Sequence, residues 1–81
     1  MSKKFVLRFP TISSSFTNPK ISKIHVFVGE SVKRNSDLIE IESEKGIIVL
    51  QSEFSGIVNE VLVKEEQFVG ENDLLLIIMK D

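Results

Sequence analysis

The stretch that decides the fold is Ile41-Glu42-Ser43-Glu44-Lys45-Gly46-Ile47-Ile48-Val49-Leu50. Two short apolar runs, residues 38–41 and 47–50, are separated here by a charged segment that ends in glycine. Short runs rich in β-branched residues with a glycine-containing turn between them are typical of a β-hairpin. The sequence therefore predicts a tight hairpin with Lys45 at its tip.

Further short apolar runs follow the same pattern on both sides of this hairpin. They lie at residues 4–9, 25–28, 57–63 and 74–79. Polar or glycine-containing turns separate them: Gly29 is expected to take a positive φ, Asn35 lies in a second turn, and Gly56 opens a strand. Because no segment combines a helical period with helix caps, the sequence predicts an all-β domain built as a sandwich or barrel.

The chain also contains an internal repeat. A shift of 36 positions superimposes similar residues of the two halves, namely Ile21 on Ile57, Val26 on Leu62, Glu30 on Glu66, Asp37 on Asp73 and Leu38 on Leu74. Two copies are too few for a solenoid. We expect two sheets that bury their apolar faces against each other about a quasi-two-fold axis. The Lys45 turn and the chain termini would then lie at opposite ends of the molecule.

Composition limits the functions that this chain can have. Its 81 residues suffice for one domain, residues 1–81, and contain no cysteine and one histidine, His25. Thiolate chemistry and most metal or His-dependent catalytic sites are therefore excluded, and we predict no catalytic residue and no metal site. The net charge of −2 argues against nucleic acid or an anionic membrane as the main partner.

Lys45 is the residue in the sequence most able to carry chemistry. It follows Glu40, Glu42 and Glu44, which would form a row on one strand face because alternate residues point to one side. No second polar group is expected to face this row, so it is either a solvated surface or a recognition patch for a modifying enzyme. Lys45 is either an ordinary charged turn residue or an exposed target for modification, since a carrier lysine needs reach rather than burial.

Two other features carry weaker predictions. His25 has no cysteine or second histidine to share a site with, so no ligand role is predicted for it. The polar stretch 11–17 has no histidine to activate its hydroxyls, and it is expected to be a surface loop that is either unspecialised or a contact for a partner.

Taken together, these motifs resemble the lipoyl domain of 2-oxo acid dehydrogenase complexes, within the biotinyl/lipoyl carrier family, over residues 5–79. Residues 41–46 resemble the family's E-T-D-K-A lysine turn, and residues 26–32 resemble its V-x-x-G-D-x-V region. Phe9-Pro10-Thr11-Ile12 resembles its first strand end. Gly29 and Gly56 stand at intervals from Lys45 that are similar to those of the family.

The resemblance implies a flattened barrel, or barrel-sandwich hybrid, of two four-stranded antiparallel sheets with quasi-two-fold symmetry. It implies that lipoate is amide-linked to Lys45 and shuttles acyl groups and electrons between active sites. The domain would not be an enzyme by itself. It would be the N-terminal piece of a dihydrolipoamide acyltransferase, in the bacterial cytoplasm or a mitochondrial matrix, and monomeric when isolated.

The resemblance also assigns roles and partners. Glu42, Glu44 and Gly46 would be recognised by the modifying enzyme, a lipoate ligase or lipoyl transferase. The partner-recognition loop would consist of Ser13, Ser14, Ser15 and Phe16 and would contact the 2-oxo acid decarboxylase. The acyltransferase core and dihydrolipoyl dehydrogenase complete the set of partners. Gly29 and Gly56 would be structural turn residues.

The chain departs from the family pattern at several positions. Glu65 occupies the place of the usual second turn glycine, and Gln51 and Glu53 stand where prolines are common. Ser13 and Gly46 replace a frequent glycine and alanine.

Three alternatives stay open. A biotin carrier would bracket its lysine with methionines, and a glycine-cleavage carrier would be longer and carry helices. An unmodified barrel-sandwich interaction module is the third.

Overall fold

The computed structural model describes residues 3–10 and 17–80. Seven strands form in this part of the chain, and it contains no helix, so none that could span a membrane. The strands are β1 Lys3–Arg8, β2 Lys20–Ile24, β3 Ser31–Val32, β4 Asp37–Ser43, β5 Gly46–Gln51, β6 Gly56–Val61 and β7 Leu74–Lys80.

The strands form two sheets in which all neighbours are antiparallel. One sheet has the order β1-β7-β6-β3 and the other the order β2-β4-β5. An isolated bridge between Lys20 and Phe68 extends the second sheet beyond β2, where the predicted fourth strand would lie. The predicted all-β fold of two antiparallel sheets is confirmed, with a single bridge in place of one short strand.

The quasi-two-fold relation is present, but its shift is 37 positions and not the predicted 36. Ile21 and Val58 are equivalent and both buried, as are Leu38 and Leu75, whereas Leu74 is 42% exposed. Hydrogen bonds repeat with the same shift: His25 N donates to Leu38 O, and Leu62 N donates to Leu75 O, each at 2.9 Å. A shift wrong by one residue moves every side chain to the opposite face of the sheet, so burial decides between the two shifts.

The corrected shift changes which residue replaces the second turn glycine. Gly29 has a φ of 95°, as expected, and its equivalent is Glu66, with a φ of 72°. The prediction that Glu65 takes this place is wrong. Glu65 instead accepts a hydrogen bond from Ile24 N at 3.0 Å through Oε2. Glu66 therefore carries the strain of a left-handed backbone, about 1 kcal/mol for a residue with a Cβ.

Residues 25–28 do not form the predicted strand. The chain leaves the sheet after Ile24, and Phe27 and Glu30 close a turn in which Phe27 N donates to Glu30 Oε1 at 3.1 Å. Val26 is buried in the core, while Phe27 and Val28 are exposed. The apolar run 25–28 therefore supplies one side chain to the core, that of Val26, next to a turn.

The core lies between the two sheets. It is formed by buried aliphatic side chains and one phenylalanine from both halves: Phe9, Ile21, Val26, Val32, Leu38, Ile39, Ile41, Val58, Val63, Val69, Leu75, Leu76 and Ile78. Gly56 opens β6, as predicted, at a place where an added Cβ would meet the Met79 carbonyl oxygen.

Substituting Gly29 with valine should destabilise the fold through the backbone alone. A Cβ at Gly29 meets no atom within 4 Å, so the expected loss of more than 1 kcal/mol comes from its φ of 95°. Chemical denaturation followed by circular dichroism measures this change. A midpoint equal to that of the unsubstituted chain would show that the turn relaxes without strain.

Candidate functional site: the lysine hairpin

The predicted hairpin joins β4 to β5 through only two residues, Glu44 and Lys45. Ser43 and Gly46 form the last pair of the ladder below them. Lys45 N donates a hydrogen bond to Ser43 Oγ at 3.2 Å, which fixes the backbone of the tip. Gly46 has a φ of 141°, a conformation that residues with a Cβ rarely adopt. The predicted tight turn is confirmed.

Lys45 is exposed at this tip. Its ammonium group makes no hydrogen bond or ion pair with any residue in the described part of the chain. The hairpin therefore presents a primary amine that forms no ion pair with a carboxylate of the described residues. This arrangement suits covalent attachment of a carboxylic acid through an amide bond, because the amine is accessible to a second enzyme.

The carboxylates of the predicted row do have polar partners, contrary to expectation. Glu42 Oε1 lies 3.7 Å from Lys20 Nζ, which also lies 3.3 Å from Glu66 Oε1. Glu40 Oε2 lies 2.7 Å from Nε2 of His25. The pair of Lys20 with Glu42 could not be predicted from the sequence, because β2, which carries Lys20, lies about 20 residues before β4 and becomes its neighbour only on folding. Glu44, beside Lys45, keeps the solvated position predicted for the row, and the Glu42 side chain is still 45% exposed.

A shallow groove lies beside the hairpin. We call it the hairpin groove, and it is lined by Asn18, Lys20, Glu42, Ser43, Glu44 and Phe68. Ser43 and Glu44 immediately precede Lys45, while Phe68 belongs to the segment bridged to Lys20. Sequence reasoning missed Lys20 and Phe68 as lining residues of a groove beside the hairpin, since nothing local in the sequence links them to it.

The remaining predicted residues lie apart from the hairpin or outside the described residues. The predicted partner-recognition loop of Ser13, Ser14, Ser15 and Phe16 lies outside the described residues. Gly29 and Gly56 lie in the turn before β3 and at the start of β6, where they shape the scaffold. No group of three or more metal-ligating side chains occurs in residues 3–10 and 17–80.

The residues present fit a covalently attached group. Lys45 supplies a free amine, Gly46 permits the tight turn, and Glu44 keeps the tip hydrophilic. Within residues 3–10 and 17–80, the cavity beside the hairpin is the open hairpin groove, so a group attached to Lys45 stays accessible from the surface. The hairpin can therefore hold and present a group.

Comparison with known proteins agrees with this arrangement. A family model for biotin and lipoyl attachment, described as "Biotin-requiring enzyme", matches residues 6–78. The biotin/lipoyl attachment protein of Bacillus subtilis (strain 168) is 41% identical over 54 residues, which are 67% of this chain and 74% of that protein.

Longer proteins and a solved structure are also similar. The dihydrolipoyllysine-residue succinyltransferase component of the 2-oxoglutarate dehydrogenase complex of Pseudomonas aeruginosa is 30% identical over 69 residues, 85% of this chain but 17% of that protein. The solution structure of the lipoyl domain of the 2-oxoglutarate dehydrogenase complex from Azotobacter vinelandii superimposes with a TM-score of 0.76 and 25% identity, covering 94% of this chain and 95% of that one. The chain therefore belongs to the biotin/lipoyl attachment family and is a lipoyl- or biotin-type carrier domain related to the lipoyl domains of dihydrolipoyllysine acyltransferases.

Proposed function

We propose that Lys45 carries lipoate in amide linkage, and that this arm transfers acyl groups and electrons between the active sites of a 2-oxo acid dehydrogenase complex. The observation that supports this most directly is the position of Lys45 at the tip of a two-residue hairpin, exposed and without a partner for its ammonium group among the described residues. In this proposal Lys45 is the attachment residue, and the chain itself catalyses no reaction.

Attachment requires the neutral form of the Lys45 amine. Its nitrogen forms a bond to the carboxyl carbon of lipoate, which the modifying enzyme has activated with ATP as an acyl adenylate. AMP leaves, and the nitrogen loses a proton to become the amide. The bound group supplies the disulfide that is reductively acylated and later reoxidised, while the hairpin positions it. Tethering raises its effective concentration near a partner's active site to about the millimolar range.

Biotin is the second candidate, because the family and the Bacillus relative include both groups by name. The residues beside Lys45 favour lipoate, since biotin carriers resemble one another in bracketing the lysine with methionines and here the neighbours are Glu44 and Gly46. Gly46 and the carboxylates of Glu42 and Glu44 are the features we propose that a lipoate ligase or lipoyl transferase recognises.

The partners follow from the relatives and are part of the proposal. We assign a 2-oxo acid decarboxylase, an acyltransferase core and a dihydrolipoyl dehydrogenase, in the bacterial cytoplasm or the mitochondrial matrix. The similarity to a succinyltransferase component supports a place as the lipoyl domain of a longer acyltransferase. The Bacillus attachment protein, most of which aligns with this chain, supports a separate short carrier as the alternative.

Intact mass after modification tests the proposal. The chain is incubated with ATP, lipoate and a lipoate ligase, and in parallel with ATP, biotin and a biotin ligase, and the modified peptide is sequenced. One lipoyl group on Lys45 is expected. Modification by biotin alone would identify a biotin carrier. No modification in either reaction, with known carrier domains modified beside it, would identify an unmodified interaction module.

Removing the two carboxylates beside the lysine should slow modification without unfolding the chain. We expect Glu42→Gln with Glu44→Gln to reduce the initial rate of lipoylation about tenfold, the size of effect that about 1.4 kcal/mol of lost recognition produces. The exposed ion pair of Glu42 with Lys20 contributes little to stability. Glu53→Gln with Glu60→Gln, both exposed elsewhere, is the matched control. Equal rates for the two double variants would remove Glu42 and Glu44 from recognition.

A further inference from the structure

We infer that the hairpin groove is a resting site for the group carried on Lys45, with the ring of Phe68 as its apolar contact. This inference rests on the proposed function. The ligand is the chain's own tethered group, an uncharged aliphatic chain ending in a ring that contains two sulfur atoms. The group would occupy the groove whenever it is outside a partner's active site.

The position of the groove supports this occupant. Ser43 and Glu44, which line one wall, are the two residues immediately before Lys45. Phe68 pairs with Lys20, which pairs with Glu42, so Phe68 lies two strand spacings, about 10 Å, from β4. The lysine side chain and the lipoyl chain join through about ten successive bonds of about 1.5 Å, which together reach more than 10 Å. Lys45 lies three residues beyond Glu42, about 10 Å further along the hairpin, so its separation from Phe68 is about 14 Å. When extended, the lysine side chain and the lipoyl chain span about this distance, so the ring at the end of the arm reaches the Phe68 side chain without any change in the backbone.

Phe68 is an aromatic residue that lies outside the core cluster. Its side chain is 66% exposed. Its quasi-two-fold equivalent is Ser31, which makes the corresponding pairing with Ile57 on the other side of the molecule. One half of the domain thus forms this contact with a small polar residue, while the half beside the hairpin places an exposed phenyl ring there. Sulfur atoms pack favourably against aromatic rings, and so do alkyl chains.

The polar residues of the groove leave room for an uncharged ligand. Lys20 lies between Glu42 and Glu66, at 3.7 and 3.3 Å, so each of these charges has an opposite charge beside it at the rim, although the two carboxylates leave the cluster with one net negative charge. Asn18, which has a φ of 51°, also lines the groove and adds a neutral amide. Among the described lining residues, the charged residue without a partner is Glu44, at the exposed tip. An amide-linked, uncharged arm meets no buried charge along this path.

Nuclear magnetic resonance of the lipoylated chain tests the inference. Spectra of the ¹⁵N-labelled chain are compared before and after lipoylation, with completeness established by mass. We expect shifts at the amides of Lys20, Phe68 and Val69 and at the Phe68 ring, beyond those of residues 43–47. In Phe68→Ser, which copies Ser31, the shifts at Lys20 and Val69 should disappear. Phe27→Ser is the matched control, because Phe27 is 67% exposed and lies past the opposite end of β2.

The reactivity of the arm gives a second measurement. If the disulfide rests against Phe68, its reduction by a small soluble phosphine should be two- to fivefold faster in Phe68→Ser than in Phe27→Ser. Complete lipoylation with shifts confined to residues 43–47 and equal reduction rates would overturn the resting site and leave the carrier function standing. Absence of lipoylation would overturn both.

Discussion

The variant Lys45→Arg should lose attachment of the group completely while keeping the fold. A guanidinium stays protonated at any pH compatible with folding, so it offers no nucleophilic nitrogen for an amide bond. It preserves the positive charge at the tip, which separates loss of the amine from loss of charge. Because the Lys45 ammonium has no partner in the described structure, the expected change in unfolding free energy is within about 0.5 kcal/mol.

Intact mass measures the loss of attachment, and thermal denaturation measures whether the fold is kept. The control is Lys64→Arg, an exposed lysine in the turn after β6, which should be modified like the unsubstituted chain. Modification of Lys45→Arg at another lysine, Lys20 in particular, would move the attachment site into the hairpin groove. A large fall in melting temperature would show that Lys45 has a structural contact after all.

The hairpin could be predicted because its determinants are local. A two-residue tip, a glycine after it and two apolar runs suffice to fix β4, β5 and the exposure of Lys45. The hairpin groove could not be predicted in the same way. Its walls come from Asn18 and Lys20, from the hairpin itself and from Phe68. The pairing of β2 with β4 and the bridge between Lys20 and Phe68 bring these segments together.

The error in the internal repeat has a physical cause. The run 74–79 contains six consecutive apolar residues, so a shift of 36 or 37 positions matches aliphatic side chains equally well. Only burial distinguishes them, since Leu74 is exposed while Leu75 is fully buried. Central strands covered on both faces lack the alternation that would reveal the register. The prediction for Glu65 differs from the structure by the same one residue, since Glu66 is the equivalent of Gly29 and has the positive φ.

The quasi-two-fold relation also explains why the residues that stabilise the domain lie apart from the lysine tip. Ser43 and Gly46, the pair below the lysine tip, are equivalent to Lys80 and Lys3 in the other half. The place that carries the exposed lysine in one half is occupied in the other by the outermost described pair of β1 and β7. The core lies between these two places, so substitutions at the tip and in the core should have separate effects.

Gly56→Ala should show the core effect most strongly. Gly56 lies at the start of β6 and pairs with Lys80 of β7 and with Val32 of β3. A Cβ built there contacts the Met79 carbonyl oxygen and lies 2.9 Å from Ile78 Cγ2. The first contact is with backbone in a paired strand, which cannot rotate away as a side chain could. Overpacking of this kind typically destabilises a protein by about 1 to 3 kcal/mol, occasionally more.

We expect a loss of about 3 kcal/mol, reduced by less than 1 kcal/mol because alanine restricts the unfolded chain. For a domain of this size each kcal/mol corresponds to about 4 to 8 °C in melting temperature, so the fall should exceed 8 °C. Gly70→Ala is the matched control, since its Cβ would meet only Asp73 Oδ2, at 3.8 Å, and its melting temperature should change little. Equal melting temperatures for the two variants would mean that β6 and β7 can move apart at Gly56 without a loss of stability. In that case the close packing of these two strands would not be a source of the domain's stability.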